Sequence, residues 1–303
     1  MPKKHLIVLL GPTGVGKTTT SISVSKHFNA PIVSADSRQF FKEMRIGTAA
    51  PTPKQLSLTP HFLVGHKSIT ERYSCGMFEL EALELLNKIY INQDIAMLVG
   101  GSMLYIDAVC NGIDNFPTPD PELRQSLENQ LATEGIDNLR AQLRLLDPEF
   151  YNQVDLKNPK RILKAIEICL QTGKPYSSFL TNPQRSRPFN VIKIGLTYPR
   201  EMLYERINAR VDQMINQGLV NEAKSLYPYR DHNALKTVGY REIFDYLDGN
   251  ISLEKSIELI KRNSRHYAKR QLTWWAKDNE ITWFHPYEID VVLHHIEEQL
   301  NVK

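Results

Sequence analysis

The stretch Leu6–Ser21, "LIVLLGPTGVGKTTTS", decides the fold. Five apolar residues, Leu6 to Leu10, run straight into glycine, as a strand buried on both faces does before a tight loop. Gly11, Gly16, Lys17 and Thr18 fit the spacing GxxxxGK[ST], and a helical pattern follows from Lys17 to Phe28. The loop Gly11, Pro12, Thr13, Gly14, Val15 and Gly16 is thereby expected to curl so that successive amides and a helix N-terminus point at an anion. Lys17 adds a point charge, Thr18 a hydroxyl suited to Mg²⁺, and Thr19 a second hydroxyl. The motif names a phosphate cradle without saying which phosphate compound sits there.

Outward from this stretch, short apolar runs alternate with helical patterns: "PIVSA", a helix from about Met77 to Tyr90, then "IAMLVGG". Such alternation predicts an α/β fold, a P-loop NTPase-like parallel sheet flanked by helices. At "DNFPTPDPEL" three prolines in six residues interrupt the pattern, and from Glu122 to about Gln171 the periodicity is helical without a strand. "TNPQRSRPFN" closes that segment with more proline and polar residues. A helical insertion over 116–189 is expected, splitting a core domain of 1–115 and 190–303. "VIKIGLTY", Val191 to Tyr198, reads as the return to the sheet, followed by a long helical C-terminal part.

Composition narrows the class. The chain has 303 residues, 42% of them hydrophobic, enough for one large core and an inserted unit. Lysine and arginine number 37 against 34 acids, so the net charge of +3 neither demands nor excludes a polyanion. Cys75, Cys110 and Cys169 include no CxxC pair, which argues against a disulfide framework or zinc site and for a reducing cytoplasm. No stretch approaches the ~20 apolar residues of a membrane span.

A phosphoryl-transfer enzyme usually adds an apolar strand ending in a magnesium-binding aspartate. "IAMLV" ends instead in Gly100, Gly101 and Ser102, and "PIVSADSRQ" in Asp36, Ser37 and Gln39, side chains suited to hydrogen-bonding a substrate. The loop is therefore open to holding a leaving group. Asp36 and Ser102 are expected at the carboxyl ends of strands beside the loop, where open sheets place their ligands. The plainer readings are a helix N-cap for Asp36 and a turn for Ser102.

With these motifs in place the chain resembles the tRNA dimethylallyltransferase (isopentenyl transferase) family. The matching stretches, in the family's order, are "GPTGVGKT" (11–18), "SADSRQFFKEMRIGTAAP" (34–51), "PHFLVGHKSITERYSCGMF" (60–78), "LVGGSMLY" (98–105), "NPKRILKAIE" (158–167), "TVGYREI" (237–243) and "RHYAKRQLTWW" (265–275). The resemblance implies transfer of a dimethylallyl group from dimethylallyl diphosphate to N6 of adenosine 37 in tRNAs reading codons that begin with U. It implies that Gly14 to Thr19 hold the diphosphate with Mg²⁺, that Asp36 is the base facing the adenine amine, and that Asp36 to Gln39 line the nucleotide site. Ser102, Arg124 and the run Lys160, Arg161, Ile162, Leu163 and Lys164 are implied tRNA contacts. Ser102 stands where many members have threonine, Phe41 where tyrosine is usual, and Asn158 where aspartate is common.

The chemistry agrees with the residue types. An exocyclic adenine amine is a weak nucleophile that needs a base nearby, and a departing diphosphate needs amides, Lys17 and a cation around it. Arg206 and Arg210, four apart on one helical face, are candidates for the far side of that diphosphate. "KRNSRHYAKRQLTWW" carries Lys261, Arg262, Arg265, Lys269 and Arg270 without one acid. On a helix Arg262, Arg265 and Lys269 share a face, as residues tracking a phosphate backbone do. The partner expected is a tRNA anticodon stem-loop gripped by a cytoplasmic monomer. A P-loop small-molecule kinase, a prenyltransferase acting on free adenine nucleotides and a non-catalytic RNA-binding protein are the competing readings.

Overall fold

The computed structural model describes residues 3–181 and 185–301. The chain divides into two compact units, Met1–Cys110 with Ser186–Lys303, and Asn111–Arg185. Part of the "TNPQRSRPFN" closure, 182–184, lies outside the described residues. Both divisions fall a few residues before the expected 116–189. At the second, the chain is already bound to the first unit before the strand begins: Arg187 donates to Glu79 at 2.7 Å and to the Ala108 carbonyl at 2.6 Å.

The first unit is built on six strands, β1 (His5–Leu10), β2 (Ile32–Ser34), β3 (His61–Phe62), β4 (Ile95–Gly100), β5 (Asn190–Leu196) and β6 (Ile281–Phe284). They lie in the order β3-β2-β4-β1-β5-β6, every pair parallel. All six residues of β1 are buried, which is why its sequence shows no alternation. The two faces nevertheless separate. Leu6, Val8 and Leu10 pack with Phe78 and Trp275, while Ile7 and Leu9 pack with Val24, Ile207 and Ala268.

Around the sheet run α1 (Lys17–Phe28), the short α2 (Pro53–Leu56), α3 (Cys75–Ile89) and α4 (Met103–Asn111). The second unit contains α5 (Pro121–Glu134), α6 (Ile136–Leu146), α7 (Pro148–Gln153) and α8 (Pro159–Thr172). Its core gathers Leu127, Leu139, Leu143, Ile162 and Ile166. The prolines read as an interruption also start a helix: Asp120 accepts the Glu122 and Leu123 amides, and Pro121 opens α5.

The remainder of the first unit holds α9 (Arg200–Asn216), α10 (Leu219–Leu226), α11 (Tyr240–Leu247), α12 (Leu253–Trp275) and α13 (Ile289–Asn301). Phe41, Met44, Val211, Leu219, Tyr240 and Ile260 form a further core there. The long C-terminal part is helical as expected, with one strand, β6, set into it. Its four residues are too few to show a period, and only the pairing with β5 identifies them. No helix among the described residues is long and apolar enough to cross a membrane.

Candidate active site

The carboxyl ends of β1, β2 and β4 open on a cleft of about 1020 Å³ within the first unit. Its floor is the loop before α1. Gly14 at φ 81 and Gly16 at φ 110 take left-handed conformations that a Cβ disfavours. Gly16 caps α1 without any side-chain hydrogen bond, so the helix presents its first amides uncapped by any side chain.

Thr13, Gly14, Gly16, Lys17, Thr18 and Thr19 all face the cleft. Gly11, Pro12 and Val15 do not, and their role is to shape the loop. The Val15 side chain is buried in the core and its amide donates to the Pro12 carbonyl at 3.3 Å. Lys17 Nζ donates to the carbonyls of Gly11 at 2.8 Å and Pro12 at 3.0 Å. Burial pushes the Lys17 ammonium down to about 8, with the Asp36 charge opposing that shift and Arg210 adding to it.

Two arginines of α9 close over the loop. Arg206 Nε donates to the Gly14 carbonyl at 3.2 Å, its guanidinium 4.8 Å from the centre of the Tyr198 ring. Arg210 donates to Thr13 Oγ1 at 3.1 Å and to the Thr48 carbonyl at 3.3 Å. Burial lowers its pKa and the Asp36 charge counters that shift. The four-residue spacing thus brings both cations to the loop.

The wall beside it is the segment after β2. Asp36, Ser37, Arg38 and Gln39 all line the cleft. Asp36 Oδ1 accepts the Arg38 amide at 3.1 Å, closing a turn; no helix follows for it to cap. Arg38 donates to the carbonyls of Asn233 at 3.0 Å and Ala234 at 3.1 Å, and burial lowers its pKa. Ser102 is buried. Its hydroxyl accepts the Ser37 amide at 2.8 Å and donates to Ser37 Oγ at 2.9 Å, so it fixes the residue after Asp36 and does not face the cleft.

Two residues of α12 complete the site: Tyr267, which the sequence shows only as an aromatic interleaved with the basic residues of this stretch, and Gln271, which sequence reasoning did not single out. Gln271, 1% exposed, donates to the Gly101 carbonyl at 2.7 Å and accepts the Thr13 amide at 2.9 Å. Tyr267 donates to the same carbonyl at 3.2 Å. Burial, with the Asp36 charge, pushes its phenol up to about 12. The available signal was their i, i+4 spacing, which places both on the face toward the sheet.

The remaining basic candidates separate into free and engaged. On α12, Arg262 and Lys269 are exposed, whereas Arg265 donates to Asn208 at 2.6 Å and lies over the Tyr204 ring. The three therefore do not form one open face. In the second unit Lys160 and Arg161 are exposed on the first turn of α8, capped by Asn158, which accepts the Arg161 amide at 3.3 Å. Arg124 pairs with Glu128 at 3.0 Å and with buried Glu167 at 3.3 Å, and Lys164 also pairs with Glu167. Ile162 at 0% and Leu163 at 3% exposure are core residues, so their expected tRNA contact is corrected: these side chains reach no partner.

The cleft can hold a polyanion against Lys17, Arg206, Arg210 and the α1 amides, with a carboxylate and hydrogen-bonding groups beside it. Among the described residues no three His, Cys, Asp or Glu side chains gather as a metal site. Thr18 and Asp36 both face the cleft. That oxygen set suits Mg²⁺, which keeps waters and takes phosphate oxygens for most of its ligands.

Comparison with known proteins gives one answer. A family model described as IPP transferase matches residues 39–278. The tRNA dimethylallyltransferase 1 of Bacteroides fragilis is 51% identical over 300 residues, covering 99% of this chain and 100% of that protein. The Phocaeicola vulgatus protein of the same name is 54% identical over 291 residues, covering 96% and 97%. Among solved structures, the full-length tRNA isopentenylpyrophosphate transferase from Bacillus halodurans superposes with a TM-score of 0.73 at 37% identity, covering 98% and 97%. A eukaryotic dimethylallyltransferase acting on tRNA gives 0.77 at 26% identity, covering 93% and 74%.

Proposed function

The chain belongs to the IPP transferase family, whose relatives here are tRNA dimethylallyltransferases, and from that premise we propose that it transfers a dimethylallyl group from dimethylallyl diphosphate to N6 of adenosine 37 in tRNAs reading codons that begin with U. The observation that carries this reading is the pairing, in one cleft, of a cationic phosphate loop with a carboxylate on the neighbouring segment. A phosphate site without such a carboxylate binds an anion; with it, a nucleophile can be deprotonated beside a leaving group.

In the proposed reaction the N6 nitrogen attacks the first carbon of the allyl group. The carbon–oxygen bond to diphosphate breaks, and the N6 proton passes to Asp36. Lys17, Arg206, Arg210 and the α1 amides take up the charge that develops on the departing diphosphate. Thr18 would hold Mg²⁺ with the diphosphate oxygens, and that ion would supply further charge neutralisation. Ser102 and Arg38 keep the Asp36 segment in place. Adenosine 37 must leave its stack to reach the cleft, and the half-buried Tyr267 offers an aromatic surface to an extracted base.

The exposed cations Lys160, Arg161, Arg262 and Lys269 serve the anticodon stem-loop by pairing with phosphates. Dimethylallyl diphosphate and tRNA are thus the two proposed substrates, of a monomer working in the cytoplasm; three free cysteines are in keeping with that reducing compartment. Incubation with dimethylallyl diphosphate and unmodified tRNA, followed by nucleoside analysis, tests it. N6-(dimethylallyl)adenosine at position 37 is the expected product; its absence, or product from free nucleotides alone, would sink the proposal.

A further inference from the structure

Glu222, on α10, ends in a carboxylate that among the described residues receives four donors and pairs with no cation. Oε2 accepts the amides of Arg45 at 3.0 Å and Ile46 at 2.8 Å. Oε1 accepts the Gly47 amide at 2.9 Å and the Tyr240 hydroxyl at 2.7 Å. Three consecutive backbone amides converging on one anion form a concave site of the kind that binds phosphate elsewhere, filled here by the protein's own side chain.

The loop so held needs an external hold. Ala49 sits at φ 47, in the left-handed region that a non-glycine residue avoids. Gly47 lies under the fully buried Tyr240 ring: a Cβ there would come within 2.6 Å of Cζ. Beyond Gly47 the chain turns its carbonyls into the cleft. The Thr48 carbonyl accepts from Arg210 at 3.3 Å and from Gln39 at 3.2 Å, and Ala49 accepts from Gln39 at 3.2 Å. Arg210 in turn reaches Thr13 of the phosphate loop.

We propose that Glu222 is a positioning residue for prenyl transfer: by clamping Arg45 to Gly47 it fixes the Thr48 carbonyl that aims Arg210 at the diphosphate. The inference rests on the reading of the cleft as the dimethylallyl diphosphate site. Glu222 touches no substrate. Its effect passes through a strained loop to one guanidinium, whose charge is most useful when held still before the leaving group departs.

Glu222→Gln keeps the shape and removes one acceptor that two donors share. The single-turnover rate should fall about 10- to 100-fold, as small misplacements of charged groups do, with tRNA affinity within about twofold of the parent. The deciding measurement is a double-mutant cycle with Arg210→Ala. If Glu222 works through Arg210, the double variant is no slower than Arg210→Ala alone. Independent, multiplying losses would reduce Glu222 to a structural support and overturn the proposal. Gly47→Ala, which displaces the same loop against Tyr240 while keeping the Glu222 carboxylate itself, is run in the same cycle in case Glu222→Gln fails to fold, and must show the same non-additivity. Affinity for inorganic diphosphate is read in parallel. Should the parent protein bind diphosphate yet form no prenylated tRNA, the function assigned above fails, while the clamp stands or falls on whether Glu222→Gln and Arg210→Ala are non-additive in that affinity.

Discussion

Thr13 and Gln271, 258 positions apart, meet where the Thr13 amide donates to Gln271 Oε1 at 2.9 Å. The other end of the same side chain donates to the Gly101 carbonyl, so one buried amide ties the loop after β1 to the loop after β4. Replacing Gln271 by leucine leaves the part-buried Thr13 amide without its partner and the Gly101 carbonyl with Tyr267 as its remaining donor, at a cost of about 1–3 kcal/mol for the orphaned amide. Urea denaturation should show the loss, and calorimetry a weaker grip on dimethylallyl diphosphate. Unchanged values in both would mean that the loop holds its shape unaided.

Asp36→Asn preserves the turn, because the amide oxygen still accepts from the Arg38 amide, but abolishes basicity. Diphosphate and tRNA binding should survive while single-turnover prenyl transfer falls by about 10² or more, the usual worth of a general base. A near-parental rate with saturating tRNA would remove Asp36 from that role.

Lys17 gives the cleft a pH dependence with a definite sign. Its ammonium, pushed down to about 8 by burial, is charged below that pH and neutral above it. Affinity for dimethylallyl diphosphate should be full below about pH 8 and decline as pH rises through it, by up to about tenfold per pH unit, until the proton-retaining complex also titrates. Folding stability has the opposite trend. Between about 8 and the unfolded value near 10.4 the unfolded chain binds more protons, so stability rises with pH. Lys17→Met should flatten both profiles; a persisting pH dependence of affinity would assign it to another group.

The salt dependence of tRNA binding separates exposed cations from engaged ones. Removing Arg262 or Lys269, and in the second unit Lys160 or Arg161, should each lower the log–log slope by nearly one if the side chain neutralises a phosphate of a duplex stem. Arg265→Ala should leave the slope near parental and lower thermal stability instead, since that guanidinium is committed to Asn208 and Tyr204. Filter binding over a range of salt concentrations distinguishes the two classes, and equal slopes for all five variants would refute the division.

Ile162→Ala tests the reassignment of that residue to the core of the second unit. Truncating a fully buried isoleucine costs about 2–5 kcal/mol, so hydrogen exchange across α5 to α8 should accelerate. Loss of tRNA affinity with unchanged exchange would restore Ile162 as a contact residue.

Where the sequence was informative, the cause is local. Lys17 and the loop glycines act over eight residues, and β1 announces itself because both its faces are covered. Arg206 and Arg210 follow from helical spacing. Contacts made across the chain leave no such trace: nothing near Gln271 or Glu222 records partners 258 or 176 positions away. The run "NPKRILKAIE" misled for a related reason. A helix that offers Lys160 and Arg161 to solvent must bury Ile162 and Leu163 on its other side, and a contiguous motif hides that division. Asn158 acts there as the helix cap, a role that an aspartate would fill equally well.

The two neighbours of β1 arrive at very different times during synthesis. Leu6 pairs with Ala96 on one side, but with Val191 on the other. A ribosome that has released β4 and the whole of α5 to α8 therefore still carries a β1 flank whose amides and carbonyls lack a partner, on a strand of uninterrupted apolar residues. Until Asn190–Leu196 emerges, the nascent phosphate-site half has an open, sticky edge and no settled central strand. At about 5–20 residues per second, that window lasts several seconds or more in each cycle of translation.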